Sequence, residues 1–349
     1  MSKLNGSGNS RRIWRTLPVV SSDLLVPLAQ QAEDDGVEGV FAYQVYGPPF
    51  IPLALAAGVT KTLKLASGIA IAGTRSPFET AMAARDLDAI SDGRFTLGLG
   101  SSVPVWTSGV YGGPPIKPLA HLRETVDVVR YIHGNAHVGL EPYEGTYYKA
   151  DFAAFRGVLA PPVKPHMPIW LAAMREKLTR MAVEIGDGVI GHPMWSVEWA
   201  LNEMKPAIED ELQKRGKARS DIEVSIWPFA AINPNEQEAI DDARPTVAFY
   251  AGAAPYEIVF QKQGFLDEAR ALQKAVAEEG FLAASRLVPD EMVRAFVAVG
   301  APDKVRERIE PIWQLADSIC VSPPTYALTP DKLQYYSDMI ASTFPPDSL

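Results

Sequence analysis

The chain has one cysteine among 349 residues, Cys320. That excludes an internal disulfide and a cysteine-rich metal site, and it fits a reducing compartment. In its local sequence, DSICVS, Cys320 reads as a buried strand residue. Long apolar runs are also missing, and none approaches the roughly 18 residues that a membrane span needs. The amino-terminal MSKLNGSGNSRR is polar and glycine-rich without the apolar core of a signal peptide, so residues 1–12 are expected to be a flexible leader and the protein cytoplasmic. Positive charge is scarce: 33 Lys and Arg stand against 42 Asp and Glu, for a net charge of -9. Nucleic acid and anionic membrane surfaces are disfavoured as partners, because no broad basic face is available to replace phosphate counterions. The five histidines show no persuasive metal spacing. His133 and His137 are four apart, but Gly134-Asn135 should end the helix between them, and neither HExxH nor a P-loop occurs, so no metal site is expected.

What is present is a soluble globular composition, 47% apolar with a mean hydropathy of -0.02, and a regular alternation of strand and helix signals. The clearest stretch is LKLASGIAIAGTRSPFETAMAARDLDAISDGRFTLGLGSSV, residues 63–103. Its apolar run is too short for a helix; Ser76-Pro77 then supplies an N-cap and a first-turn proline, and a second strand, Phe95 to Leu99, follows the Ser91-Asp92-Gly93 breaker. This is a βαβ unit with glycines and serines gathered at the carboxyl ends of its strands. Before it, Ile13 to Val20 reads as a strand, Leu24, Leu25, Leu28 and Ala32 as a helix stripe, Val37 to Tyr43 as a strand and Phe50 to Thr60 as a helix. After it, a loop from Ser101 to Pro118 leads into a helix from Leu119 to about His133.

Residues 134–165 interrupt the alternation, and GLEPYEGTYYKADF suggests a short hairpin laid over the rim. The pattern resumes with strand Pro168 to Ala173, helix Arg175 to Ile185, strand Asp187 to Gly191, helix Ser196 to Arg215 and the alternating strand Ile222 to Ile232. Ala253 to Leu287 reads as a second insertion in a long helical stretch, and Asp317 to Ser322 as the last strand before a closing helix, Pro330 to Thr343. Eight βα units favour an α/β (β/α)8 TIM barrel, residues 13–349 as one domain with the two insertions, over an open sheet. The open-sheet rival is prompted by Gly98-Leu99-Gly100, but a third glycine is missing and Val103-Pro104-Val105-Trp106 is no helix start.

The blocks TRSPFETAMAARDLDAISDGRFTLGLGSSV and AAMREKLTRMAVEIGDGVI resemble the luciferase-like monooxygenase superfamily, and more narrowly its F420-dependent oxidoreductase branch. The resemblance covers about Leu24 to Ser342. It implies a bacterial-luciferase-like barrel that binds a flavin or deazaflavin at the carboxyl ends of its strands. It places a non-prolyl cis peptide at Gly68-Ile69, forming a bulge that backs the cofactor ring. It places Gly100, Ser101 and Ser102 at the cofactor, and Ala173, Met174 and Arg175 at a phosphate-side helix start where amide dipoles suit an anionic tail. Arg175 stands where many relatives have glycine, so its role is open between phosphate ligand and surface charge. Gly191 and His192 end a strand that contacts the cofactor in relatives. The Asp-His pair of several F420-using relatives is replaced by Gln44-Val45, so family acid-base roles do not transfer, and the glutamate some relatives carry near Val103 is absent. Tyr43, Gln44 and His192 are the candidate catalytic groups, His192 as the group that titrates near neutral pH. Tyr46 is a further polar group there, and Trp106, Tyr111, Phe50 and Trp195 suggest an aromatic wall for a partly apolar substrate. Arg94 and Asp187 begin strands and are expected to serve stability.

The expected reaction is hydride transfer between coenzyme F420 and a small organic substrate. The alternative is an FMN-dependent monooxygenase that uses reduced FMN and O2, with a separate reductase supplying the reduced cofactor. A third reading is a flavin-binding barrel without catalysis. By resemblance the protein is expected to be a homodimer.

Overall fold

A computed structural model describes residues 11–155 and 159–346. Most of the expected leader, residues 1–10, lies outside the described residues. Among the described residues thirteen strands follow one another as β1 (Arg12–Thr16), β2 (Gly39–Ala42), β3 (Lys64–Ser67), β4 (Ala70–Ile71), β5 (Phe95–Gly100), β6 (Tyr143–Glu144), β7 (Lys149–Ala150), β8 (Ile169–Ala173), β9 (Gly188–Gly191), β10 (Glu223–Ile226), β11 (Phe229–Ile232), β12 (Val297–Gly300) and β13 (Ser318–Ile319). The parallel strands alternate with helices, and the class is the (β/α)8 TIM barrel. The described residues divide into two compact units, one within residues 15–192 and 202–223 and the other of residues 11–14, 193–201 and 224–346.

In the first unit β2, β3, β5, β8 and β9 pair in parallel in that order, and β4 pairs with β5 beside β3. Helices follow these strands as α1 (Ser22–Asp34), α2 (Phe50–Val59), α3 (Pro77–Ile90), α4 (Pro118–Asn135) and α5 (Glu176–Ile185). The strands carry Val40, Phe41, Leu65, Ala66, Leu97, Leu99, Ile169, Leu171 and Val189 fully buried, as expected of parallel strands covered on both faces. Helix α3 starts as its sequence dictates: the Ser76 side chain accepts from Glu79 N at 3.0 Å, with Pro77 in the first turn. The first strand is shorter than its apolar signal, ending at Thr16 rather than Val20, and Pro18 in that stretch brings no N–H to a ladder.

The amino ends of these strands are tied by charge. Arg94 donates to the carbonyls of Leu63 (2.7 Å), Ala57 (2.9 Å) and Ser91 (2.8 Å), joining the turn before β5 to the end of α2. Asp187 accepts from Arg130 at 2.9 Å and from Ile169 N at 2.9 Å. Both residues sit where a stabilising role was expected.

The antiparallel pair β6–β7 is the expected hairpin. Glu124 of α4 accepts from Tyr147 N (2.8 Å) and Tyr148 N (2.7 Å), and Phe78 of α3 meets Phe152 with ring centroids 5.9 Å apart. The hairpin and the residues after it therefore pack against α3 and α4. The chain then descends to the amino end of β5, where Lys164 Nζ donates to Phe95 O at 2.8 Å.

In the second unit β13 pairs with β1 on one side and β10 on the other, and β11 pairs in parallel with β12. The single long strand expected from Ile222 to Ile232 is thus two, broken at Trp227-Pro228, because proline removes a ladder donor. The segment Pro289 to Val299 is a helix, Asp290–Phe296, running directly into β12. Helices Glu257–Lys262 and Leu266–Glu279 fill the second insertion. It is bordered by an aromatic cluster in which Phe249 stacks on Tyr326 at 4.0 Å and meets Phe281 at 5.5 Å. No helix among the described residues is long and apolar enough to cross a membrane.

Candidate active site

The candidate residues Tyr43, Gln44, Gly68, Ile69, Gly100, Ser101, Ser102, Ala173, Met174, Arg175, Gly191 and His192 all fall at the carboxyl ends of β2, β3, β5, β8 and β9, which lie side by side in the first unit. Register makes this so: Ala42 pairs with Ser67, Ile71 with Gly100, Leu99 with Leu171 and Ala173 with Gly191. In a (β/α)8 barrel this end carries the chemistry.

The peptide bond between Gly68 and Ile69 is cis, at the position the resemblance assigned. It opens a bulge between β3 and β4 that is held from two sides. On one side Gly68 N donates to Ala42 O at 2.8 Å and Gln44 N to Ile69 O at 3.2 Å. On the other, Ser67 Oγ donates to Gly98 O (2.8 Å) and accepts from Gly98 N (2.9 Å). Gly98 and Gly100 are required by this approach. A Cβ on Gly98 would stand 1.8 Å from Ser67 O, and one on Gly100 would stand 2.2 Å from Ile69 Cδ1. The Gly-Leu-Gly sequence that invites a dinucleotide reading is thus a packing requirement of the bulge.

Gln44 is buried and fully engaged. Its Oε1 accepts from Ile71 N (2.9 Å) and Arg75 Nη2 (2.8 Å), and its Nε2 donates to Thr74 Oγ1 (3.1 Å). An amide so pinned fixes the backbone after the bulge; it does not exchange protons. Tyr43 is the contrary case: 36% exposed, with burial of the ring raising its hydroxyl pKa. It therefore stays protonated at neutral pH and can donate.

His192 follows β9, with its N–H on Ala173 O at 3.2 Å. Burial pushes its pKa down to about 3. The expectation that it titrates near neutral pH is corrected: the imidazole is neutral there, a hydrogen-bonding group rather than a resident cation. Arg175 is the N-cap residue of α5 and is exposed, with no side-chain capping bond. Its backbone carbonyl accepts from Leu178 N at 3.0 Å and Thr179 N at 3.1 Å. Ser102 has φ 55°, a left-handed conformation uncommon for serine. It turns the chain sharply off the end of β5.

Beyond Ser102 the loop forms a π-turn, Val105–Val110, and Tyr111 then pins it by donating to Val45 O (2.6 Å) and Tyr46 O (3.1 Å). Tyr46 and Trp106 face each other at 5.9 Å. With Val45, Val105 and Val110 also exposed, this side of the site is apolar and aromatic, as expected for Trp106 and Tyr111. Phe50 carries the Arg75 guanidinium over its ring at 5.2 Å. Trp195 belongs to the second unit and is fully buried. It lines a cavity there with Phe229 and Phe296, and is not one of the residues gathered at the strand ends of the first unit.

Sequence reasoning assigned no role to Ser67, Thr74 or Arg75. The signal for Thr74 and Arg75 was the TRSP run itself, a cation directly ahead of a helix cap at a strand's carboxyl end.

The parallel α/β barrel with small residues gathered at the carboxyl ends of its strands is the architecture that the resemblance implied. The luciferase-like monooxygenase family model matches residues 13–316, and the chain belongs to that family. An uncharacterised protein of Mycobacterium tuberculosis is 30% identical over 305 residues, covering 83% of this chain and 90% of that one. The 5,10-methylenetetrahydromethanopterin reductase of Methanopyrus kandleri is 28% identical over 338 residues, covering 90% of this chain and 92% of the relative. The solved structure of the coenzyme F420 dependent tetrahydromethanopterin reductase from Methanopyrus kandleri superposes with a TM-score of 0.79 at 25% identity, covering 96% of this chain and 99% of that one.

Proposed function

We propose that the protein is a coenzyme F420-dependent oxidoreductase that transfers a hydride between the deazaflavin and a small, partly apolar organic substrate. The observation that carries this reading is the bulge at Gly68–Ile69, clamped by Gln44 and Ser67 and laid against Gly98 and Gly100, in a chain similar over nine-tenths of its length to an enzyme named as a methylenetetrahydromethanopterin reductase. The donor set suits a deazaflavin. Backbone groups and the hydroxyls of Ser101 and Ser102 would hold a flat ring with amide-like polar edges, and none of the twelve candidate residues is acidic. When bound, the cofactor supplies a hydride donor or acceptor.

The protein's part is to bind, orient and hold protons. The Gln44 clamp keeps the bulge in one shape, so the ring is met by a preorganised surface. Tyr43, neutral and half-exposed, supplies a proton donor at the mouth. His192, also neutral, offers a hydrogen bond without adding charge. Trp106, Tyr46 and the valines beside them exclude water from an apolar substrate. A homodimer is part of the same proposal.

The test is separate titration of the purified apoprotein with F420 and FMN, followed by fluorescence. Tight F420 binding with weak FMN binding is expected, together with F420 turnover that consumes no O2. Selective FMN binding with oxygen consumption replaces the proposal with an FMN-dependent monooxygenase served by a separate reductase. Stoichiometric binding without turnover on a broad substrate panel replaces it with a non-catalytic flavin-binding barrel.

A further inference from the structure

Arg75 lies between the short 3-10 turn Ala72–Thr74 and the cap of α3, at the carboxyl end of β4. Its side chain is only half-exposed. Nη2 is taken by Gln44 Oε1 at 2.8 Å, and the plane lies over Phe50 at 5.2 Å. Nη1 is buried and has no hydrogen-bond partner. Among the described residues Arg75 forms no ion pair. Three other arginines of this unit bond protein acceptors with both terminal nitrogens: Arg85 the carbonyls of His133 and Ala160, Arg94 those of Leu63 and Ala57, and Arg130 Asp187 and Ile185 O, its Nε alone being unpartnered. Those three act as struts at other parts of the fold. Arg75 stands at the strand ends where the ligand is proposed to bind, held in orientation by two contacts and left with an unanswered donor.

An uncompensated guanidinium taken out of water is unfavourable unless an anion meets it. Burial lowers the pKa of Arg75, with only Glu79 and Tyr111 opposing. The groups facing it are thus an exposed carboxylate on α3 and the phenol that pins the loop after β5. Neither is bonded to it.

We infer that Arg75 is an anion-recognition residue, whose Nη1 edge takes a carboxylate or phosphate oxygen of the bound ligand. This rests on the reading of these strand ends as the ligand site. The planar fork held on Phe50 and Gln44 presents a fixed donor edge, the arrangement that suits an oxyanion better than a lysine ammonium would. The anion has two sources, the anionic tail of the cofactor or an acidic group on the substrate.

The experiment uses the apoprotein, with Arg75→Met and Arg75→Lys beside the wild type, and inorganic phosphate and acetate as calorimetric probes. F420 and the same deazaflavin lacking the phosphate tail are titrated by fluorescence. Expected is anion binding by the wild type, weakened about tenfold or more in Arg75→Met and less in Arg75→Lys, with thermal unfolding showing both variants folded. If Arg75→Met also weakens F420 while leaving the tail-less deazaflavin unchanged, the anion is the cofactor's. If both deazaflavins bind as before while phosphate or acetate binding is lost, the anion is the substrate's. The inference is overturned if the wild type binds neither probe, if Arg75→Met binds them as the wild type does, or if both deazaflavins weaken equally, which marks Arg75 as a mere support for Gln44. Should Arg75→Met not fold, Arg75→Lys decides: unchanged affinity for both probes overturns the inference, and loss supports it. A failure of F420 to bind leaves the anion titrations standing and counts against the proposed function alone.

Discussion

Ser67 and Gly98 are locked together across adjacent strands: the serine hydroxyl bonds both the N–H and the carbonyl of Gly98, and a Cβ on Gly98 would stand 1.8 Å from the Ser67 carbonyl oxygen. The obstacle there is backbone and cannot rotate away. At Gly100 the obstacle is the far end of the Ile69 side chain, 2.2 Å from the added atom, which can turn. The two glycines should therefore respond differently. Gly98→Ala is expected to destabilise the protein by about 3 kcal/mol, at the upper end of overpacking costs, and Gly100→Ala by about 1 kcal/mol. Gly100→Ala moves Ile69, so it should weaken F420 binding beyond its effect on the unfolding midpoint. Thermal unfolding and fluorescence titration of both variants check the order, and equal losses would contradict it.

Gln44 stands where some relatives carry an acid-base pair, yet its three bonds belong to the backbone and side chains of residues 71–75. Replacement by leucine leaves the buried Ile71 N–H without its acceptor, a cost of about 1 to 3 kcal/mol. Gln44→Leu should lower the unfolding temperature and weaken F420 binding together. Gln44→Glu keeps an acceptor for Ile71 and Arg75 and should recover most of the stability. A pH–rate profile that gains or loses a limb in the leucine variant, with stability unchanged, would return Gln44 to a proton-transfer role.

The alternation of strands and helices was legible because each element carries its own local signal: a short β-branched run, the Ser76-Pro77 cap, the Asp92-Gly93 turn, whose two residues both adopt positive φ. The cis peptide position could be read only through resemblance, since nothing in Gly68-Ile69 distinguishes it from an ordinary strand end. The helices that the hairpin packs on were not legible for a physical reason: Tyr143, Tyr148 and Phe152 carry no signal for one helix over another, and Glu124 of α4 collects the N–H groups of Thr146, Tyr147 and Tyr148. Trp195 shows the same limit. An aromatic residue near a strand end reads as a pocket wall, and which cavity it lines is decided by its neighbours. Arg75 was passed over because a cation ahead of a capped helix is ordinary in sequence; its unanswered nitrogen exists only in three dimensions.

At the opposite end of the strands, Glu33 offers a pH-dependent contribution to stability. Burial raises its pKa, but N–H groups of Thr62, Leu63 and Lys61 and the Thr62 hydroxyl all donate to one carboxylate oxygen, and the balance is a pKa lowered from 4.5 to about 2. A carboxylate with a depressed folded-state pKa stabilises above its unfolded value. That stability is lost as pH falls from about 4.5 to about 2. Glu33→Gln should destabilise at pH 7 by about 1 to 2 kcal/mol, within the range for hydrogen bonds to a charged group. The difference from wild type should shrink on acidification through that window. A constant difference from pH 7 to pH 3 in denaturant titrations would refute the charge as its origin.

His192 should act on a higher pH window and at the candidate site itself. Its folded-state pKa is lowered from 6.5 to about 3 by burial, so between those values the unfolded chain binds a proton that the folded protein refuses. Stability is then full above about pH 6.5 and declines as pH falls, by at most about 1.4 kcal/mol per pH unit from this one group. His192→Asn keeps a polar side chain of related shape without the titration. It should flatten the stability profile between pH 6.5 and 4 while leaving stability at pH 8 nearly unchanged. The same neutrality sets an expectation for catalysis: the pH–rate profile of the wild type should show no histidine limb near 6.5. Both measurements belong together, because a flat activity profile with a steep, asparagine-sensitive stability profile is what an imidazole kept neutral at the candidate site produces. An activity limb near 6.5 that vanishes in the variant would instead make His192 a proton carrier in solution contact.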